Sequence, residues 1–243
     1  DNKHIELYRI PSSIGQAKQI YQILDTLYPE GNQEKDYLKT AVVIPNEKLM
    51  LPIIYSIPEK IDKINVTMGY PLQITSIAGL MDHIFELHRR KKMIDGKMKF
   101  YHLTVRNVIN QQFVAFICSE NINFINSEII AKNLIYIDES LFRQHKLLEK
   151  IFNPDIQIAD FTAYLIDVIK ALVEAWNSLE DKPEDHQLES SFLYQYYMTI
   201  NRIDDLLKAN TDIELQGLET LIRLIKQLTN SINIPFVGEP LNG

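Results

Sequence analysis

The sequence predicts an α/β segment with a parallel sheet, followed by a longer all-α segment. Apolar β-branched runs alternate with helical patterns over the first seventy residues, and from about Thr75 onward apolar residues recur almost wholly at helical spacing. The length of 243 residues and the hydrophobic share of 46% suit one large globular domain or two small ones.

The first segment follows the order β-α-β-α-β, which is typical of a parallel sheet with covering helices. The predicted strands are residues 5–10, 40–44 and 64–68. A helix is predicted over 14–27, after a Pro-Ser-Ser sequence that offers an N-cap, and a second over 47–57. Pro52 lies inside this second helix and either kinks it or marks a late start.

The second segment is predicted from apolar stripes at helical spacing. One stripe runs from Ile77 to Leu87 and ends in cationic residues, which suit a helix C-terminus. Another helix is predicted over 100–118 and a short extended piece over 133–137. Short polar breaks separate three further stripes, which predict helices packed antiparallel as a bundle: 158–179, 193–207 and 218–232.

Several function classes lack their sequence signals. The single cysteine, Cys118, excludes an internal disulfide, and no Cys/His cluster has metal-ligand spacing. Walker A, G-x-G-x-x-G and G-x-S-x-G motifs are absent, so we expect no ATP site, no metal site and no catalytic residue in this chain. No apolar run approaches the ~18 residues that would span a bilayer. We therefore expect a cytoplasmic protein that does not contact a membrane.

Charge is distributed unevenly along the chain. Residues 1–99 hold 14 Lys/Arg against 12 Asp/Glu, whereas residues 151–243 hold 6 against 15 and would repel phosphate backbones. Candidate nucleic-acid contacts therefore lie in the first hundred residues. They are the basic run Arg89, Arg90, Lys91 and Lys92, and Asn65, Thr67 and Tyr70 at the carboxyl end of the third predicted strand, where open parallel sheets place ligands. The alternative interpretation of the basic run is a solvated helix end. For Asn65, Thr67 and Tyr70 it is a tight strand exit.

Three blocks of the sequence resemble the middle of AddB-like proteins: Thr40–Pro58, Asn65–Leu72 and Pro235–Gly243. AddB-like proteins are large bacterial DNA repair proteins, common in Bacteroidetes, with a superfamily I helicase-like body and a C-terminal PD-(D/E)XK nuclease domain. The resemblance is specific within these blocks, and only general helical character links the remaining residues.

The resemblance implies a partial RecA-like second helicase lobe over 1–74, a helical insertion over 75–232 and a return to the lobe over 233–243. It also implies an internal fragment of a longer protein, in line with the absence of an initiating methionine. The family's Walker motifs, later helicase motifs and nuclease acids match no position here. ATP and Mg²⁺ are therefore implied for the parent protein only.

Two functional hypotheses follow. The first is a noncatalytic helicase-like segment of an AddB-like nuclease, acting in DNA double-strand-break repair and recombination, that binds DNA or a helicase-nuclease partner subunit. The second is a helical protein-interaction scaffold without nucleic-acid affinity, in which the basic run only terminates a helix.

Overall fold

The chain forms two compact units. A computed structural model describes residues 3–29, 40–61, 64–67, 69–183, 186–209 and 217–235. The first unit combines residues 1–70 with 233–243, and the second comprises residues 71–232. In chain order, the second unit is therefore an insertion within the first.

Helices dominate the described residues. They are α1 (Ser13–Leu27), α2 (Met50–Ile54), α3 (Ser76–Arg89), α4 (His102–Ile109), α5 (Gln112–Ile117), α6 (Ser119–Ala131), α7 (Lys146–Ile151), α8 (Phe161–Asn177), α9 (His186–Ala209) and α10 (Leu218–Asn230). The strands are β1 (Gly69–Pro71), β2 (Lys92–Ile94), β3 (Lys97–Tyr101), β4 (Tyr136–Ile137) and β5 (Asn233–Pro235). None of these helices is both long and apolar enough to cross a membrane.

The two helices predicted in the first unit are confirmed. Helix α1 begins after the N-cap Ser12, whose Oγ accepts a hydrogen bond from the Gly15 backbone N–H at 3.0 Å. The second helix is a 3₁₀ turn over Glu47–Leu49 that continues as α2. Pro52 lies in the first turn of α2, where its missing N–H is tolerated, so it accompanies a late start of the α-helix.

The predicted parallel sheet is wrong. Residues 5–10, 40–44 and 64–67 form no strand, and Met68 lies outside the described residues. Several of their apolar side chains face solvent, for example Leu7 at 94% exposure and Val43 at 87%. The sheets are small and antiparallel instead. Strand-like composition does not specify a partner strand, and these runs have none among the described residues.

Strands β1 and β5 pair at the point where the chain passes between the units. The backbone N–H of Leu72 donates to the carbonyl of Ile232 at 2.9 Å, immediately beyond this pair. A Cβ on Gly69 would lie 2.8 Å from the Cβ of Asn233, so the close approach of the two strands requires glycine at position 69. The second unit therefore starts and ends at adjacent backbone.

The helix predicted over 77–87 is confirmed as α3, in which every predicted stripe residue is buried. The helix predicted over 100–118 is wrong at its start, because Phe100 and Tyr101 belong to strand β3 and the helical part divides into α4 and α5. Strands β2 and β3 form a hairpin through Asp95 and Gly96, both with positive φ. Strand β4 lies within the predicted extended piece and pairs with β3.

The bundle helices are confirmed as α8, α9 and α10. Helices α8 and α9 run antiparallel, because contacts join their opposite ends. Thr162, at the start of α8, donates to Asp204 near the end of α9 at 2.6 Å. At the other end, the Trp176 ring stacks on the His186 ring with centroids 5.3 Å apart. Helix α10 packs on α9.

We predict that Ile200→Ala on α9 destabilises the second unit by about 2–5 kcal/mol, because this side chain is fully buried and its truncation leaves a cavity. Met198→Ala on the same helix should change the free energy of unfolding by less than about 0.5 kcal/mol, since Met198 is exposed. Urea unfolding followed by the fluorescence of Trp176, the single tryptophan, measures both variants. Equal destabilisation by the two substitutions would contradict the orientation of α9.

Candidate nucleic-acid interface

Arg89 ends helix α3 and is held by two carboxylates. Its Nε donates to Glu219 Oε1 at 2.5 Å, and Nη1 donates to Glu86 one turn earlier on α3. Glu219 lies in the first turn of α10, where a carboxylate also suits the helix N-terminus. The hydrogen bonds to Glu219 and then to Glu86 raise the pKa of Arg89. Arg89 therefore links α3 to α10.

Lys91 is also engaged within the protein. Its Nζ donates to the backbone carbonyl of Pro154 at 2.6 Å, and the side chain is half-buried. Burial lowers the pKa of Lys91, partly opposed by the charge of Asp155. The amine thus satisfies a loop carbonyl in the segment before α8.

Arg90 and Lys92 remain accessible. Arg90 is 60% exposed, and its Nε lies 3.5 Å from Glu86 Oε2, a loose surface pair. Lys92 is exposed on strand β2, with Nζ 5.8 Å from the centroid of the Tyr136 ring. The basic run thus divides into Arg89 and Lys91, which bind groups distant in sequence although Arg89 is also exposed, and Arg90 and Lys92, which are exposed beside Glu86 and the Tyr136 ring.

The other candidates belong to the first unit. Asn65 and Thr67 are exposed in a segment without regular structure. Tyr70, in β1, is only 6% exposed. Asn65 and Thr67 thus present their side chains to solvent, whereas Tyr70 contributes to packing.

Sequence analysis missed a polar sheet face in the second unit. Lys97, Lys99 and Tyr101 alternate along β3 and so share one side of it. Lys92 pairs with Lys99, and Tyr136 pairs with Tyr101, so both lie on this side. The Asp-Gly turn followed by alternation is a hairpin signal that could have revealed it.

His88, next to the basic run, is a buried neutral imidazole. Its Nε2 lies 3.0 Å from the hydroxyl of Tyr164, which itself donates to the Ile151 carbonyl at 2.6 Å. The hydroxyl therefore accepts from an Nε2–H, and the buried Nδ1 has no hydrogen-bond partner. Burial, with a smaller effect of Lys91, lowers the pKa of His88 from 6.5 to about 3.

Cys118 is a buried thiol in contact with a histidine. Its Sγ lies 3.4 Å from His145 Nδ1, which also accepts a hydrogen bond from the Leu147 N–H at the start of α7. Burial raises the pKa of the Cys118 thiol to about 12, so it stays protonated. Within the described ranges, no group of three or more His, Cys, Asp or Glu side chains could hold a metal ion.

A mostly apolar pocket of about 390 Å³ lies between α8 and α9. Its lining includes Val173, Trp176, Leu193, Tyr194 and Tyr197. The Trp176 ring in this lining is buried against Phe113 and His186.

Comparisons of the chain with protein-family models, with curated proteins and with solved structures found no match.

We predict that the second unit loses stability as the pH falls from about 6.5 towards about 3. In this window the unfolded chain protonates His88 and the folded chain does not, so stability falls by up to about 1.4 kcal/mol per pH unit. Above pH 6.5 this contribution is fully present. His88→Leu should reduce the dependence of the free energy of unfolding on pH. Urea unfolding at several pH values, followed by Trp176 fluorescence, measures this dependence.

His83→Gln provides the matched control, because this half-buried histidine lies on the same helix. It should keep the acid dependence of the unsubstituted protein. Equal slopes for His88→Leu and the unsubstituted protein would show that His88 does not carry the effect.

Proposed function

We propose that the chain is a noncatalytic, helicase-like segment of an AddB-like nuclease that acts in DNA double-strand-break repair and recombination in the bacterial cytoplasm. In this role it binds DNA or the helicase-nuclease partner subunit. ATP and Mg²⁺ act elsewhere in the parent protein.

The observation that carries this proposal is that the second unit interrupts the first unit along the chain. Residues 40–58 and 65–70 of the AddB-like blocks fall in the unit that also takes in 233–243, and residues 71–232 form a unit of their own. The pairing of β1 with β5 joins the two ends of the interruption. A helicase-like lobe that carries a helical insertion has this order along the chain.

The exposed apolar runs of the first unit also support the proposal. Ile5, Leu7 and Val43 are each more than four-fifths exposed, in segments with strand-like composition. Apolar side chains exposed to this degree favour a surface that another protein segment covers. In this proposal the parent protein or its partner subunit supplies that segment.

The accessible candidates are the proposed DNA contacts. Arg90 and Lys92 offer accessible positive charge for phosphates, and Asn65 and Thr67 offer exposed hydrogen-bonding groups. Arg89 and Lys91 are already engaged by Glu219 and the Pro154 carbonyl, so their charge is less available to phosphates.

The ion pairs of Arg89 also favour the alternative function, a helical protein-interaction scaffold without nucleic-acid affinity. Here the basic run ends α3 and ties it to α10, while the acidic last third repels nucleic acid. A salt series with DNA separates the two functions, because phosphate contacts release counterions.

We predict that Arg90→Ala/Lys92→Ala weakens binding of the chain to forked DNA and lowers the slope of log K against log salt by about 1.4–1.8, the value for two lost phosphate contacts. Arg89→Ala/Lys91→Ala removes the same charge but should retain most of the slope and reduce the free energy of unfolding. Fluorescence anisotropy measures binding, and urea unfolding measures stability. No binding of unsubstituted protein at low salt would favour the scaffold.

A cellular experiment tests the repair role. In a bacterium that carries the gene, we expect deletion to reduce survival after ionising radiation, because broken DNA ends would not be processed for recombination. Expression of the full-length gene should restore survival. Unchanged survival in a strain without other end-processing nucleases would contradict the repair role.

A further inference from the structure

The three-stranded sheet β2-β3-β4 presents a basic and aromatic face to solvent. Lys92, Lys97, Lys99, Tyr101 and Tyr136 lie on this side by strand alternation and pairing. On the opposite side, Phe100 and Ile137 are buried in the core. Lys92 and Lys97 are exposed, and the other three side chains are half-buried. The five side chains therefore lie on the side directed away from the core.

The lysines of this face are incompletely neutralised. Lys92 and Lys99 are direct cross-strand partners, an arrangement in which like charges destabilise the sheet. The nearest carboxylates are Asp95, 3.7 Å from Lys99 Nζ, and Asp138, 3.9 Å from Lys97 Nζ. Both distances exceed hydrogen-bond length, and such surface pairs contribute little. A bound polyanion would supply negative charge that these loose pairs do not.

Two aromatic rings lie among these charges. The rings of Tyr101 and Tyr136 are 5.6 Å apart between centroids, and the Tyr101 ring also contacts the ring of His102 at 4.8 Å. Half-buried tyrosines on a sheet offer flat, firmly held surfaces. Sites for single-stranded nucleic acid combine such stacking surfaces with cations along the backbone.

We propose that this sheet face binds single-stranded DNA, with Lys92, Lys97 and Lys99 on phosphates and Tyr101 and Tyr136 stacked on bases. The choice of DNA rests on the proposed function. A duplex is the poorer ligand, because its bases are paired and stacked in the helix and are not available to tyrosines.

The test measures binding of the full chain to a fluorescent oligothymidylate of about 20 nucleotides, a length that covers one site. Lys97→Gln/Lys99→Gln replaces two charged side chains with neutral polar ones and should reduce the log–log salt slope by about 1.4, the value for two single-strand phosphate contacts. Lys146→Gln/Lys150→Gln on α7 removes the same charge from exposed positions and should leave the slope unchanged.

Tyr101→Leu/Tyr136→Leu should weaken binding at least tenfold without changing the slope, since stacking carries no charge. Thermal unfolding verifies that each variant is folded. If the tyrosine variant destabilises the sheet, a second measurement uses the unsubstituted protein and follows quenching of its tyrosine fluorescence by oligothymidylate. Unchanged fluorescence at saturating oligothymidylate would overturn the stacking of bases on Tyr101 and Tyr136.

Three other results would overturn the proposal. They are equal salt slopes for the sheet and α7 variants, duplex binding as tight as single-strand binding, and a preference for oligouridylate, which would make RNA the strand. This test shares no substituted residue with the test of Arg90 and Lys92 on forked DNA. If the sheet variants bind single-stranded DNA as the unsubstituted protein does, and deletion of the gene still reduces survival, the sheet proposal is overturned and the proposed function is retained.

Discussion

The antiparallel α8–α9 hairpin is the element on which the helical unit depends. It is fixed at one end by Thr162 and Asp204 and at the other by Trp176 and His186, which stack and exchange hydrogen bonds with each other's backbone carbonyls. Helices α3, α5, α7 and α10 each pack on one of its two helices. Because Trp176 is buried among Phe113 and Phe116 of α5, the largest side chain of the core also connects the hairpin to the preceding helices.

The same packing determines which cations are available at the surface. Helix α10 packs against α9, and its first turn presents Glu219 to Arg89. The segment before α8 places the Pro154 carbonyl within reach of Lys91. Two of four consecutive basic residues are thereby bound to groups more than sixty positions away in sequence. A basic run is consequently weak evidence for nucleic-acid binding until its acidic and carbonyl neighbours are known.

Local periodicity predicted the helices well because one apolar stripe on a helix is sufficient to define its buried face. The stripe of α3 is buried residue for residue, and Phe161, Leu165, Val168 and Leu172 of the stripe predicted over 158–179 are buried in α8, whereas Ile158 before the helix is exposed. The strands over 5–10 and 40–44 failed because a strand needs a partner, and no local pattern names one. At the candidate site, the sequence located the basic run, whereas the engagement of Arg89 by Glu219 depends on tertiary packing and lay beyond local reasoning.

The hairpin β2–β3 shows where local and global preferences disagree. Its Asp95-Gly96 turn and alternating residues specify a strand pair, and the buried Phe100 fixes its register against the core. That register places Lys92 opposite Lys99, although a neutral or acidic residue at either position would stabilise the sheet. In natural sequences the local preferences for turns and strands usually agree with the pairing of side chains across the strands, and exceptions concentrate at functional sites. The lysines of this sheet face, beside two half-buried tyrosines, are the exception in this hairpin, since Asp95 and Asp138 match their charge only at distances beyond hydrogen-bond length.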